Sequence, residues 1–205
     1  MSPALLIVMG VSGCGKSTMG IALAKALGGS FQDADDLHPK SNVDKMSAGH
    51  PLTDADRIPW LTLVRYTAEQ LSSTKTEGDN IIVIACSALK RSYRSILRGL
   101  SPESPGYLLP SEQSHSFSKS KSELRSPYTE ESREEPSPSS DNRLKTYFLF
   151  IDGPRELLLR RMVARKGHFM KETMLDSQLT TLERPVLSPD SNEEGVDASL
   201  VEMML

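Results

Sequence analysis

The stretch Gly10-Val11-Ser12-Gly13-Cys14-Gly15-Lys16-Ser17 decides the fold class of this chain. It matches the pattern G-x-x-x-x-G-K-[ST] and lies between an apolar run at residues 5–9 and a helical apolar pattern. In this order of strand, loop and helix, backbone N–H groups and the positive end of the helix surround a phosphate group. The motif therefore predicts an ATP site at Gly10, Val11, Ser12, Gly13, Cys14, Gly15, Lys16, Ser17 and Thr18. Lys16 is expected on the β/γ-phosphates, and Ser17 is expected on Mg²⁺.

Length, charge and cysteine content narrow the class of protein. The 205 residues suit one α/β domain spanning 1–205. A net charge of −3 provides no basic field for nucleic acid, and no apolar run is long enough to cross a membrane. We also expect no signal peptide, because Met1-Ser2-Pro3 lacks a basic n-region and the apolar run that follows is too short. Cys14 and Cys86 are too few for a disulfide framework, so we expect a reducing, cytoplasmic location.

Apolar periodicity predicts strands that alternate with helices. The strands are expected at residues 5–9, 31–33, 81–86 and 146–151. The helices are expected at 17–27, 58–72, 90–97, 154–163 and 171–182, with a helical turn at 42–47. Thr53-Asp54-Ala55-Asp56 resembles a capping box ahead of the second helix, with Pro59 in its first turn. The pattern predicts a parallel sheet covered by helices on both faces, with ligands at the carboxyl ends of its strands. Gly10, Asp33, Ser87 and Asp152 fall at such ends.

A segment of different composition interrupts this pattern. Residues 101–140 contain 13 serines and 6 prolines and few apolar residues. Such a segment cannot bury enough apolar surface to offset the entropy lost on ordering. We therefore predict a disordered surface insert at about 101–142 that leaves the fold intact. Its four Ser-Pro pairs are either phosphorylation sites or a consequence of composition.

Two carboxylates follow the second strand. Asp33 and Asp35 are alternate residues of an extended segment, so their side chains are expected to face the same way, towards the phosphate loop. One could organise Mg²⁺, and the other could accept a proton from an attacking hydroxyl. The strand at 81–86 ends in Cys86-Ser87 and lacks the aspartate that GTPases and motor ATPases carry there. This arrangement favours a kinase that acts on a small metabolite.

Basic residues provide candidates for binding anions. Arg57, Lys90 and Arg91 could hold a substrate anion or lie on the solvated surface. Arg161 and Arg165 are four residues apart and share a helix face, where they could stabilise the transferred phosphoryl charge. Gly167 could act as the hinge of a lid that carries them. His38 is a candidate neighbour of the active site, and neither His50 nor His115 has a metal-ligand spacing.

Together these motifs resemble the small P-loop gluconate kinases. The matching stretches are MGVSGCGKS, DADDLHP, NVDKM, GHPLTDADRIPWL, CSALK, Tyr93-Arg94, RKGHF, MLDSQ and TLE, in this order along the chain. The resemblance implies a fold like that of nucleoside-monophosphate kinases, ATP and Mg²⁺ as cofactors, and a homodimer. It also implies phosphorylation of D-gluconate to 6-phospho-D-gluconate, which feeds the pentose phosphate pathway.

The resemblance also assigns roles to individual residues. It implies Lys16 and Ser17 on ATP and Mg²⁺ with Asp33 behind the metal, and Asp35 near the substrate hydroxyl as the base. It places Arg57 on the gluconate carboxylate and Arg161 and Arg165 in a closing lid. It adds His168 and Gln178 to the substrate pocket, and we expect His38 and Lys90 to complete it.

The C-terminal part departs from the family pattern. We expect no fifth apolar strand in residues 185–196, and we expect residues 198–205 to form only a stub of the last helix. Two alternatives therefore stay open beside a gluconate kinase. One is a kinase for another small acid such as shikimate. The other is an inactive nucleotide-binding protein from a gene model with a defective C-terminus.

Overall fold

The part of the chain that the structure describes contains five parallel strands in a single sheet. The structure is a computed structural model that describes residues 3–73, 81–100, 144–164, 173–185 and 198–202. The strands are β1 (Ala4–Met9), β2 (Ser30–Asp33), β3 (Ile81–Ala85), β4 (Lys145–Asp152) and β5 (Ala198–Glu202). Their order across the sheet is β2-β3-β1-β4-β5, and every neighbouring pair is parallel. Residues at the carboxyl ends of the strands therefore meet along one edge, as expected.

The apolar runs that predict the strands also form the core. Leu5, Ile7 and Val8 of β1 are fully buried, as are Ile82 and Ile84 of β3. Strands of this kind are apolar on both faces because helices cover both sides of a parallel sheet. The side chains of β1 and β3 thus hold the phosphate loop and the end of β2 on a rigid base.

In the described ranges, six α-helices and one short 3-10 helix connect the strands. The helices are α1 (Lys16–Leu27), α2 (Lys40–Ser47), α3 (Asp54–Ser73), α4 (Arg91–Leu97), α5 (Arg155–Ala164) and α6 (Thr173–Thr181). The 3-10 helix, Ala34–Leu37, follows β2 directly. No described helix combines the length and apolarity that a membrane crossing requires.

Helix α3 begins four residues earlier than its apolar pattern predicts. The Thr53 hydroxyl accepts the Asp56 N–H (3.3 Å), and the Asp56 carboxylate accepts the Thr53 N–H (2.7 Å). These reciprocal bonds confirm the capping box and start the helix at Asp54. Pro59 therefore lies inside the helix rather than in its first turn, so our placement of it was wrong.

The prediction that residues 198–205 form a helical stub was also wrong. Residues 198–202 form β5, which pairs with β4 in parallel from Phe148↔Ala198 to Asp152↔Glu202. Without β5, β4 would present a row of unpaired backbone groups at the edge of the sheet. This tertiary partner, which local sequence does not reveal, decides the conformation of the segment.

The insert expected at 101–142 lies outside the described residues. Its two flanks, however, are held together by one side chain. Arg65 Nη1 donates to the carbonyls of Leu97 (3.0 Å) and Leu144 (3.4 Å) and to Thr146 Oγ1 (2.9 Å). The start of β4 is thereby fixed to the end of α4 through α3.

Candidate active site

The phosphate loop joins β1 to α1 with the backbone geometry that its motif requires. Gly15 adopts a left-handed conformation (φ 97°), and a Cβ atom at this position would meet nothing within 4 Å. A side chain would therefore occupy open space next to the first turn of α1, which is the space that a phosphate needs. Lys16 Nζ donates to the Val11 carbonyl (3.2 Å) across the loop. Cys14 is buried at the base of the loop, and Thr18 is exposed.

Two later helices contact this loop. A Cβ atom on Gly13 would lie 2.8 Å from the Leu158 carbonyl and 2.9 Å from Met162 Cγ, so α5 packs directly against the loop. The Ser12 N–H donates to Gln178 Oε1 of α6 (2.7 Å), and Gln178 is buried. The resemblance places Gln178 in the substrate pocket, whereas the structure places its amide oxygen on the backbone of the phosphate loop.

Asp33 connects the phosphate loop to the segment after β2. Its carboxylate accepts the Ser17 hydroxyl (2.6 Å) through one oxygen and the Asp35 N–H (3.0 Å) through the other. The end of β2 and the start of α1 are therefore in contact at the edge of the sheet where the strands have their carboxyl ends. Asp35, two residues after Asp33, is exposed to solvent.

His38 is held in one orientation beside Asp35. Its ring stacks on Trp60 with centroids 4.0 Å apart, and its Nδ1 lies 3.4 Å from Asn42 Nδ2. The other ring nitrogen, Nε2, lies 4.0 Å from Asp35 Oδ1. Burial and the Arg57 charge lower the pKa of His38 to about 4. The imidazole is consequently neutral at pH 7.

A buried cluster of charged and polar side chains joins α3 to α4. Lys90 Nζ donates to both carboxylate oxygens of Asp54 (2.8 Å each), and the Tyr93 hydroxyl donates to the same carboxylate. Arg57 Nη1 donates to the Tyr93 oxygen (3.3 Å). Asp54 and Tyr93 are 4% and 1% exposed, so water does not replace these contacts.

The cluster contains two cations and one carboxylate, so ion pairing leaves one positive charge without a carboxylate partner. Burial would raise the pKa of Asp54, but bonds from Lys90 and Tyr93 and the charges of Lys90 and Arg57 together hold this pKa below its ordinary value. The ionised Asp54 therefore balances Lys90. Within the described residues, no carboxylate lies within 4.0 Å of the half-buried Arg57 guanidinium. The excess positive charge thus resides on Arg57.

Of the other predicted site residues, one lies on a described helix and two lie outside the described residues. Arg161 is on the exposed side of α5, while Arg165 and His168 lie outside the described residues. Sequence reasoning missed the roles of Asp54 and Trp60, although both belong to a quoted motif. Asp54 was considered only as part of the capping box. A buried partner for Lys90 could not be recognised without the contact between α3 and α4.

Several curated proteins are similar to most of the chain. It is 43% identical to a probable gluconokinase of Xenopus tropicalis over 182 residues, covering 88% of this chain and 79% of that protein. It is 40% identical to a gluconokinase of Gluconobacter oxydans, covering 90% of this chain and 78% of that protein. No protein-family model matches the chain.

Two solved structures share both fold and sequence with it. A sugar kinase of Janibacter is 34% identical with a TM-score of 0.63, over 98% of this chain and 85% of that one. A gluconokinase of Sinorhizobium meliloti is 36% identical with a TM-score of 0.59, over 97% of this chain and 83% of that one. The parallel sheet with its phosphate loop is thus a P-loop kinase fold. Because the likeness extends over most of the length of these relatives, the chain belongs to the gluconokinase family.

Proposed function

We propose that this protein transfers the γ-phosphoryl group of ATP to the 6-hydroxyl of D-gluconate and produces 6-phospho-D-gluconate. Membership of the gluconokinase family supports the choice of gluconate. The observation that carries the phosphoryl transfer is the bond between Ser17 and Asp33, because it brings a carboxylate and its neighbour Asp35 to the phosphate loop. The site then has three tasks, which are binding of the nucleotide and its metal, acceptance of the hydroxyl proton, and binding of the gluconate carboxylate.

The loop and Asp33 fit the nucleotide and its metal. The open space at Gly15 and the start of α1 suit phosphate oxygens, and the Lys16 ammonium adds positive charge. Ser17 and Asp33 offer hard oxygen ligands of the kind that Mg²⁺ takes. The described residues contain no cluster of three or more His, Cys, Asp or Glu suited to a metal. Magnesium-nucleotide sites of this class need few protein ligands, since phosphates and water supply the rest. Bound there, Mg²⁺ would neutralise charge on the phosphates.

Asp35 is the residue that we assign to the acceptor hydroxyl. The bond from its N–H to Asp33 sets its backbone position relative to Ser17. Its carboxylate can accept the proton of the 6-hydroxyl as phosphoryl transfer proceeds. The neutral His38, whose Nε2 lies 4.0 Å from the same carboxylate, adds no positive charge beside it.

Arg57 is the residue that we assign to the gluconate carboxylate. It carries the excess positive charge of its cluster and donates only to a neutral hydroxyl among the described residues. A planar guanidinium can bind a carboxylate through two parallel N–H bonds. Lys90 is already paired with Asp54, so we now propose that it supports the pocket rather than binding the substrate directly.

The other assignments rest on sequence. We propose from sequence alone that Arg161 and Arg165 stabilise the charge on the transferred phosphoryl group, and that His168 contributes to the substrate pocket. A cytoplasmic location and a homodimer complete the proposal, and light scattering of the purified protein tests the homodimer.

The first experiment measures ADP release by the purified protein with gluconate, shikimate or glucose as acceptor. A coupled 6-phosphogluconate dehydrogenase assay identifies the product. We expect turnover with gluconate alone, at least about 100-fold less turnover in Lys16→Ala, and near wild-type activity in the control Lys25→Ala, an exposed lysine of the same helix. Phosphorylation of shikimate but not gluconate would contradict the choice of substrate. Tight ATP binding without turnover of any acceptor would favour an inactive nucleotide-binding protein.

A further inference from the structure

We propose that the Tyr93 hydroxyl is a positioning residue that orients Arg57 for the carboxylate of the acceptor. This inference rests on the proposed function, because it assumes that Arg57 binds that carboxylate. It concerns the specificity of the site rather than the phosphoryl transfer. Tyr93 is 1% exposed, so it acts through Arg57 and not by direct contact with a substrate in solution.

A chain of hydrogen bonds runs from Lys90 to Arg57 through two buried groups. Lys90 donates to both oxygens of Asp54, and Tyr93 donates to one of them. Arg57 then donates to the Tyr93 oxygen at 3.3 Å. The direction of each bond follows from chemistry, since carboxylates only accept and ammonium and guanidinium groups only donate.

The protonation of Tyr93 suits this role. Burial raises the pKa of Tyr93, and the bond to Asp54 raises it further, so the hydroxyl keeps its proton at any physiological pH. The proton is directed to Asp54, which leaves the oxygen lone pairs for Arg57. One Arg57 nitrogen is thereby held by a neutral acceptor that does not cancel its charge.

The ring of Tyr93 also lies close to both cations of the cluster. Arg57 Cζ lies 5.7 Å and Lys90 Nζ lies 5.6 Å from the ring centroid, within the range of cation–π attraction. Phenylalanine would preserve this contact and the packing of the ring, and Asp54 would keep its two bonds from Lys90. Tyr93→Phe therefore removes the hydroxyl with little change to the rest of the cluster.

The test compares the kinetics of Tyr93→Phe with wild type and with Tyr66→Phe. The control makes the same chemical change at an exposed tyrosine of α3. We expect the KM for gluconate to rise about tenfold in Tyr93→Phe, while kcat and the KM for ATP stay within about twofold. Tyr66→Phe should match wild type in all three constants.

A double-mutant cycle separates positioning from a merely structural role. If Tyr93 acts through Arg57, Tyr93→Phe should change the KM for gluconate less than about twofold in an Arg57→Gln background. Effects that multiply in the double variant would overturn the proposal. So would a Tyr93→Phe variant with an unchanged KM for gluconate, or one that loses gluconate and ATP affinity equally.

A measurement without substitutions covers the case in which Tyr93→Phe does not fold. With ζ-¹³C-tyrosine in the wild-type protein, we expect a resonance that does not titrate near pH 10 and that shifts when gluconate is added. If the chemical shift of this non-titrating resonance stays the same when gluconate is added, the proposal is also overturned. Failure of the wild-type protein to phosphorylate gluconate would instead refute the proposed function, which keeps the two failures distinct.

Discussion

At the scale of single residues, two adjacent carboxylates have different surroundings. Asp35 and Asp36 both lie in the 3-10 helix after β2, and both residues are exposed. Asp35 has its N–H on Asp33 and its carboxylate 4.0 Å from the neutral His38. The structure provides no such link from Asp36 to the phosphate loop among the described contacts. Position, rather than exposure or charge, therefore distinguishes the proposed base.

This difference predicts unequal effects of the same substitution. Asp35→Asn should lower kcat by about 10²–10⁴-fold, because a positioned general base contributes that much to proton transfer. The affinity for ATP should change little, since the phosphate loop is untouched. Asp36→Asn serves as the matched control and should keep near wild-type kcat. Steady-state kinetics with gluconate and ATP varied in turn checks both variants, and equal losses in the two would contradict the assignment of Asp35.

At the scale of elements, α6 connects two parts of the site. Gln178 accepts the Ser12 N–H of the phosphate loop, and the chain just after the helix reaches α4. There the Glu183 carboxylate accepts the Arg91 N–H (2.6 Å), and the Glu183 N–H donates to the Leu89 carbonyl (2.9 Å). The segment from α6 to Glu183 thus makes hydrogen bonds both to the phosphate loop and to the start of α4, the helix that carries Tyr93.

Loss of the Gln178 acceptor should weaken ATP binding. In Gln178→Met the side chain keeps its length, but the buried Ser12 N–H has no partner, which costs about 1–3 kcal/mol. We expect a lower melting temperature and about a 5- to 50-fold higher KM for ATP, with a smaller change for gluconate. Thr180→Ala, at an exposed position of the same helix, should leave both KM values unchanged. Thermal unfolding and nucleotide titration check these outcomes, and an unchanged KM for ATP would show that this bond does not shape the loop.

At the scale of the whole molecule, one buried arginine joins the two flanks of the serine-rich segment. Arg65 holds the carbonyls of Leu97 and Leu144 within 3.4 Å of one nitrogen, so the two flanks of that segment are neighbours in space. The same guanidinium binds Glu69 through Nε (2.6 Å) and is buried. Because α3, α4 and β4 meet at this side chain, we expect their arrangement to tolerate a change in the length of chain between the flanks.

Deletion of residues 102–142 should therefore preserve activity. With a short glycine-serine linker in their place, we expect kcat and both KM values within about twofold of wild type. The free energy of unfolding should rise, because each halving of a flexible loop lowers its closure cost by about 0.6 kcal/mol. A glycine-serine linker of the original length separates the effect of length from that of sequence. Denaturant unfolding and kinetics test the prediction, and an inactive but folded deletion variant would contradict it.

Local sequence was enough to predict the first four strands, the phosphate loop and the order of the helices. Apolar runs such as the one in β1 must be buried, and the loop motif tolerates few backbone conformations. Helix boundaries were predicted less accurately, as the four-residue error at the start of α3 shows, because a capping box sets the first residue of a helix through side-chain bonds rather than through apolar spacing.

Contacts between distant segments were decided by the tertiary structure alone. The strand β5 forms because β4 offers a free edge, a condition that residues 198–202 do not encode. The pairing of Lys90 with Asp54 and of Gln178 with Ser12 joins residues 36 and 166 positions apart. A motif specifies which chemical groups are available, but the packing of helices on the sheet decides which of those groups neutralise each other. Asp54 balances the charge of Lys90, whereas no described carboxylate lies within 4.0 Å of Arg57, and for that reason we assign the ligand to Arg57 rather than to Lys90.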